Sequence, residues 1–366
     1  MKFTDLSKRM ALYAAAGICG LSISFASLPA PSADASILGA VISSGIQIAQ
    51  LNKEIDYYNN QEEGRQKFFE QLKNKYGVND DANLNDRLNS IMTNLSTAIA
   101  TVDPSISQKP YNYFVNPDTT FNAFCRLGHN MSVNTGMFSL LSNDDEIAVV
   151  LGHEMGHGQK DHPARGIRKA IPYEVAGQIY AEAGGSIGSS AAAAIFVNYA
   201  TATQVTKPQE WEADNLAFDY ITHSNYNPGA CAAVWQRVIE KQGDNAENFV
   251  GEIFSPSDHP TNAQRRENYE KKLYEYSGNH VSVKDGKVQV NGKDFVTPAP
   301  AGDMSGAERS YFVAGNLAAA YHNGHGSEKS YVSDNGAVML GAQPILTPQG
   351  TDPDAATLST RLNAIK

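Results

Sequence analysis

The sequence predicts an α+β protein: a mainly helical domain with a small antiparallel sheet bordering a cleft, followed by a small C-terminal α/β module. Three observations predict it. Apolar residues recur at helical spacing in several long stretches, short extended runs between turn residues fill positions 111 to 138, and strand-and-turn patterning takes over after residue 278. The 366 residues, 42% hydrophobic and 19% charged, are enough for a sizeable core, which excludes collagen-like, low-complexity and multi-span membrane classes. With 29 Lys and Arg against 39 Asp and Glu, the net charge of −10 argues against nucleic acid as a partner.

Residues 1–35 read as a secretory signal peptide. Lys2, Lys8 and Arg9 precede an apolar run from Met10 to Leu28, and Ala33-Asp34-Ala35 is a small-x-small cleavage site, with Ser24-Phe25-Ala26 as competitor. Cys19 follows Ile18, too large for the residue before a lipoprotein cysteine. The expected product is therefore exported, periplasmic or extracellular, and free of a lipid anchor; left uncleaved, the segment would serve as an N-terminal membrane anchor. The mature chain keeps Cys125 and Cys231, too few for a disulfide-built scaffold, and their spacing leaves open whether they pair. No later stretch reaches about eighteen apolar residues, so no transmembrane span is expected after signal removal.

Residues 36–278 form the main domain. Its N-terminal helices (45–100) are a long charged helix from Gly45 to Tyr76 and a second from Leu84 to Ile99, with Leu88, Ile91, Met92 and Leu95 on one face. Tyr113 to Val115, Phe121 to Phe124 and Met131 to Val133 read as strands separated by Asn-Pro-Asp and other turn residues. Ser142-Asn143-Asp144-Asp145 supplies a cap and acidic first turn for a helix carrying Ile147, Val150, Leu151 and Met155, closed by Pro163. Residues 170–205, rich in Ala, Gly and Ser, predict a tightly packed helical hairpin. Further helices follow from Lys207-Pro208 to Thr222, from Gly229 to Lys241 and from Asn262 to Tyr276. In the separate C-terminal module (279–366), Val281 to Val290 around Asp285-Gly286 is a hairpin signature and Thr297 to Pro300 a linker. A helix (Ala307 to Tyr321) and a strand (Val338 to Leu346) complete it, with no internal repeat recognised and a polar turn at His322 to Gly326.

The chemistry concentrates in His153-Glu154-Met155-Gly156-His157, inside the capped helix. Histidines at i and i+4 lie one turn apart on one face, so both imidazoles reach a single Zn2+. Glu154 is placed beside the open coordination position, where it would act as general base. A third ligand is required. His162 follows His157 by five residues where the H-E-x-x-H-x-x-G-x-x-H pattern needs six, and Lys160 replaces its glycine, so His162 reads as a helix-terminus residue. Glu210 and Asp214 share a face of the helix from Pro208: one carboxylate can bind zinc and the other can accept the free N–H of a ligating imidazole. Glu212, about 200° round from Glu210, reads as a solvated charge.

These motifs, together with Asn122-Ala123-Phe124, Thr135-Gly136, Asp145-Glu146-Ile147, Asp258-His259-Pro260 and Arg265, resemble the gluzincin peptidases that include the CAAX prenyl proteases, the HtpX heat-shock proteases and the periplasmic BepA-type proteases. The resemblance covers residues 111 to 267, the catalytic core, and implies a zincin-type metallopeptidase domain. It implies His153, His157 and Glu210 as ligands of one zinc, Glu154 as general base and Asp214 as the carboxylate behind a ligand. His259 and Arg265 would stand beside the metal, stabilising the oxyanion or holding carboxylates, whereas the sequence alone makes His259 a loop residue before proline. Asn122, Ala123 and Phe124 would be the edge strand on which a peptide pairs; the alternative reading makes Phe121 and Phe124 core residues. The chain departs from the family pattern in lacking the prenyl proteases' transmembrane helices and the tetratricopeptide repeats of BepA. Cys125-Arg126-Leu127-Gly128-His129 also replaces the family's Ala-Leu-Pro-Gly-Gly, so Cys125 and His129 read as ordinary loop residues near the cleft.

The expected function is zinc-dependent endopeptidase action on polypeptides in envelope protein quality control, with envelope proteins as partners. The alternatives are a periplasmic chaperone or assembly factor with latent peptidase activity, and a wall-binding protein led by the C-terminal module. The exported protein should begin at Ser36 on N-terminal sequencing; Met1 retained in a membrane fraction would refute the cleavage.

Overall fold

The computed structural model describes residues 37–181, 206–243 and 260–366. The signal segment, most of the 170–205 hairpin and His259 lie outside these residues. The long helix predicted from Gly45 to Tyr76 is two helices, α1 (Ile37–Asn60) and α2 (Glu62–Tyr76), separated by an extended Gln61 (φ −95, ψ 133). The chain doubles back because residue 64 is glycine: a Cβ there would lie 2.1 Å from the Tyr57 carbonyl oxygen. Both helices bury one shared stripe, Leu51, Ile55, Tyr58, Phe68 and Leu72, so apolar periodicity runs through the break without registering it.

Helix α3 (Ala82–Val102) starts at Asp81, whose side chain accepts the Leu84 N–H, and buries Leu88, Ile91, Met92 and Leu95. The strands β1 (Asn112–Asn116), β2 (Ala123–Arg126) and β3 (Asn130–Asn134) follow. They form a sheet of order β1-β3-β2, in which β2 runs antiparallel to β3 and β1 parallel to it. Strand β2 is therefore an edge. Alternation of side chains divides the sheet between two apolar layers. Phe114 and Phe124 face the stripe of α1 and α2, while Val115, Ala123, Cys125, Met131 and Val133 belong to the main core.

Helices α4 (Thr135–Leu140), α5 (Asp144–Gln159), α6 (His162–Ala181), α7 (Lys207–Thr222), α8 (Ala230–Gln242) and α9 (Asn262–Tyr276) complete the main domain. Asn143 caps α5 by accepting the Glu146 N–H, and α7 opens on a Thr206/Gln209 capping box with Pro208 in its first turn. Pro163 opens α6; the preceding helix has already ended at Gln159.

The C-terminal region is a βββα unit present twice. Strands β4 (Val281–Lys284), β5 (Lys287–Val290) and β6 (Lys293–Val296) precede α10 (Gly306–His322), and β7 (Ser330–Val332), β8 (Val338–Leu340) and β9 (Gln343–Leu346) precede α11 (Ala355–Ile365). The pairs Val288↔Val296, Gln289↔Asp294 and Val290↔Lys293 recur fifty residues later as Val338↔Leu346, Met339↔Pro344 and Leu340↔Gln343, with the same bulge. This corrects the sequence reading, which found no repeat. Asp285-Gly286 against Asn335-Gly336, Val288 against Val338 and Thr297-Pro298 against Thr347-Pro348 mark it in the sequence. The units interlock: α10 packs on β4, β5 and the other unit's β9, whereas α11 packs on β7, β8 and the other unit's β6.

The module shares one continuous core with the main domain, in which Val313 and Leu317 join Trp235, Ile147 and Val150. A buried charge cluster lies in the same contact. Arg237 on α8 meets Glu146 of α5 at 3.3 Å and Glu308 of α10 at 2.5 Å, and also Asp303 at 2.7 Å. Burial and the neighbouring Glu308, against the opposing pull of Arg237, push Glu146 up to about 8. A carboxyl raised on folding binds its proton more tightly in the folded state. Its contribution to stability is full below the ordinary glutamate pKa of about 4.3 and is lost as pH rises toward 8. Glu146→Gln should therefore flatten the fall of unfolding free energy across that window in denaturant titrations; an unchanged slope would contradict the raised Glu146 carboxyl.

Candidate metal centre and active site

Helix α5 buries both histidines of its motif and meets α7 at close range. A Cβ on Gly156 would lie 3.3 Å from Ala213 Cα, and one on Gly152 would lie 3.7 Å from Ala217 Cα. This approach brings Glu210 against the histidines. His153 Nε2 and His157 Nε2 are 3.0 Å apart, and the Glu210 carboxylate lies 3.5 Å from the former and 3.3 Å from the latter. A tetrahedral centre with bonds of about 2.0–2.1 Å sets its ligand atoms about 3.4 Å apart, so the three side chains fit one metal ion. Among the described residues, this is the group of metal-ligating side chains that converges.

Asp214, one turn beyond Glu210 and fully buried, accepts from His153 Nδ1 at 2.9 Å. That bond puts the His153 proton on Nδ1 and a lone pair on Nε2, toward the centre. Arg265 on α9 pairs with both Asp214 oxygens, with Nε at 2.8 Å, and Tyr269 donates to Asp214 at 3.1 Å. Burial alone would raise the Asp214 carboxyl, but Arg265 and the His153 bond outweigh it and hold it below the ordinary range. The Arg265 guanidinium lies 3.8 Å over the Trp235 ring. It thus meets the centre both through Asp214 and directly, its Nη2 lying 2.9 Å from His153 Nδ1. His259, expected beside it, lies outside the described residues.

His157 has a different support, absent from the sequence reading. His157 Nδ1 lies 2.8 Å from His162 Nδ1, and His162 Nε2 lies 3.0 Å from Glu212 Oε2. His162 does open helix α6, but it is fully buried. Burial and the neighbouring His157 bring it down to about 4, so its ring is neutral at neutral pH. Glu212, taken as a solvated charge, is half-exposed and bonded to His162; the signal that could have found the pair is a buried-type residue, His162, flanked by two helices' ends.

Glu154 is tied to the sheet. Its Oε2 accepts the Cys125 N–H at 3.0 Å. In an antiparallel ladder backbone groups alternate between inward and outward bonding. Asn122 O accepts from Asn134 N on β3, while the Cys125 amide points the other way. The backbone of Ala123 and Cys125 therefore faces the open edge. Asn122, Ala123 and Phe124 are all buried, and the Phe124 ring packs 5.0 Å from Tyr76. Cys125 is a strand residue, not a loop one. His129 stacks on Tyr111 at 4.3 Å, with its ring nitrogens 2.7 Å and 3.1 Å from the carbonyl oxygens of Lys109 and Gly158. It joins the start of β3 to the end of α5.

The profile of peptidase family M48 matches residues 83–272, more than half of the chain and the span containing every group above. The chain belongs to peptidase family M48. It is 27% identical over 178 residues to the metalloprotease LoiP of Escherichia coli, covering 47% of this chain and 66% of LoiP. It is 26% identical over 158 residues to the mitochondrial metalloendopeptidase OMA1 of Saccharomyces cerevisiae (43% and 45%), and 22% identical over 212 residues to the β-barrel assembly-enhancing protease of E. coli (56% and 40%). The chain thus spans less than two thirds of each relative. Its fold is of the α+β class, as the family assignment implies. Among the described residues no helix is long and apolar enough to cross a membrane.

Cys125 and Cys231 are both free and buried. Burial, then the charge of Glu154 for Cys125 and of Asp214 for Cys231, pushes both thiols up. Neither should react with iodoacetamide in the folded protein, and both should after denaturation, as read by mass spectrometry. Rapid labelling of Cys125 in the native state would show that β2 does not hold its place against Glu154.

Proposed function

We propose that this M48 metallopeptidase is a zinc-dependent endopeptidase, with His153, His157 and Glu210 holding one zinc and Glu154 as general base. The observation that carries the reading is the convergence of those three ligand atoms next to a carboxylate fixed by a strand amide. Bound zinc would supply Lewis acidity at the scissile carbonyl and to the attacking water. Glu154 uses one oxygen to accept the Cys125 N–H, which leaves the other to take the water's proton and pass it to the leaving nitrogen. The outward backbone of Ala123 and the carbonyl of Cys125 pair with an extended substrate as an added strand, which favours unfolded polypeptides over folded ones. Asp214, held by Arg265, keeps the lone pair of His153 on the metal. His259 donates to the developing oxyanion.

The leader-like residues 1–35 support export to the periplasm or beyond. That export, with one relative named for β-barrel assembly, supports a role in envelope protein quality control.

Casein hydrolysis by the full chain, with and without a chelator, tests the activity. Glu154→Gln should retain zinc and lose hydrolysis, since the amide accepts no proton at neutral pH; Glu210→Ala should lose the metal. His259→Ala should keep zinc and lower kcat by roughly 10²–10³ with little change in KM, the usual loss of one oxyanion donor. Higher activity in that variant would instead make His259 a plug on a latent peptidase.

A further inference from the structure

We infer that His162 and Glu212 form a two-step hydrogen-bond relay that fixes the ring of His157 for metal binding, which makes both of them positioning residues of the centre. The inference rests on the reading that His153, His157 and Glu210 hold the metal. Chemistry sets the direction of each bond. An ionised carboxylate has no proton to donate, so Glu212 Oε2 accepts from His162 Nε2 across 3.0 Å. A histidine that ligates through Nε2 carries its proton on Nδ1, so the facing His162 Nδ1 supplies the lone pair, and His162 holds its own proton on Nε2 against Glu212. His157 Nδ1, 2.8 Å from that lone pair, must donate to it. The proton of His157 is thereby kept on Nδ1, and Nε2 presents its lone pair toward His153 Nε2 and Glu210.

The two histidine ligands are thus held from opposite sides by carboxylates of the same helix, α7. Asp214 reaches His153 directly, because it stands one turn from Glu210 on the face toward α5. Glu212 projects about 200° from Glu210, too far round to reach His157. The imidazole of His162, at the first turn of α6, spans that gap. Its complete burial fits the role, because a buried imidazole is tolerated when both nitrogens have partners, as both do here.

Zinc affinity measured on the full chain by competition with a chromophoric chelator tests the relay. His162→Leu, which removes the acceptor, should weaken zinc binding by about 10- to 100-fold, the usual cost of losing the partner behind a histidine ligand. His162→Asn places an oxygen acceptor near the position of Nδ1 and should recover most of that loss. Glu212→Ala should weaken binding less, in the same direction, and add nothing in the His162→Leu background, because the two bonds act in series. Packing alone would make the two effects additive, or lower the thermal midpoint with affinity intact. Glu212 is half-exposed, so its variant remains informative if His162→Leu does not fold. Wild-type affinity in Glu212→Ala, and in His162→Leu where that variant folds, with Glu210→Ala free of zinc, overturns the relay and leaves the metal triad standing. If the wild-type chain takes up no zinc, or Glu210→Ala binds as well as wild type, the triad fails and the relay with it.

Discussion

The close packing of α5 against α7 is the constraint on which the centre depends. Two glycines on one helix and two alanines on the other, Gly152 and Gly156 against Ala213 and Ala217, let the backbones approach until Glu210 meets His153 and His157. A Cβ at Gly156 would press on Ala213 at 3.3 Å and tend to separate atoms that now stand 3.0–3.5 Å apart, whereas one at Gly152 would only reach ordinary contact with Ala217. The same residues that remove bulk leave the helix interface with little apolar area to bury. The surrounding core, from α3 through α8 and α9, must therefore press the two helices together.

Bringing three lone-pair atoms together in a buried place is unfavourable without a cation, and each imidazole could relieve the repulsion by turning its N–H inward. The chain prevents this from behind. Arg265 and Tyr269 hold Asp214 as an anion against His153, so that its proton stays on the outer nitrogen. The carboxylate that would otherwise need desolvating alone is stabilised by an arginine resting on Trp235. The electrostatic balance of the site is thus built into the protein before any metal arrives.

The sequence carried the parts of this arrangement that obey a local period. Asn143 with an acidic first turn, the i, i+4 histidines, and Glu210 with Asp214 one turn apart all follow from helix geometry, and the structure has those helices where their caps predict. What was illegible is non-periodic or long-range. The break at Gln61 is invisible because the helices on either side of it bury the same stripe. The repeat of the C-terminal unit survives as turn glycines and a Thr-Pro pair, while its strands kept only apolar character at Val290 and Leu340, or Phe295 and Ile345. His162 and Glu212 lie fifty positions apart, on different helices, and each has an ordinary local reading. Only the fold brings them together behind His157.

Helix α5 also joins the centre to the C-terminal module. Its first turn carries Glu146, which shares Arg237 with Glu308 of α10, and Asp145, which accepts the N–H of Asn227; the Asn227 side chain in turn bonds Phe312 and Asn316 of α10. Its last turns carry His153, Glu154 and His157. A continuous α-helix transmits position along its axis through unbroken backbone bonds, so the anchoring of one end by the module fixes the placement of ligands at the other. The doubled βββα unit, each of whose helices packs on strands of both sheets, is that anchor. The sheet side of the site is held independently, by β2 through the Cys125 amide on Glu154. The distance between Glu154 and β2 is therefore set where these two supports meet.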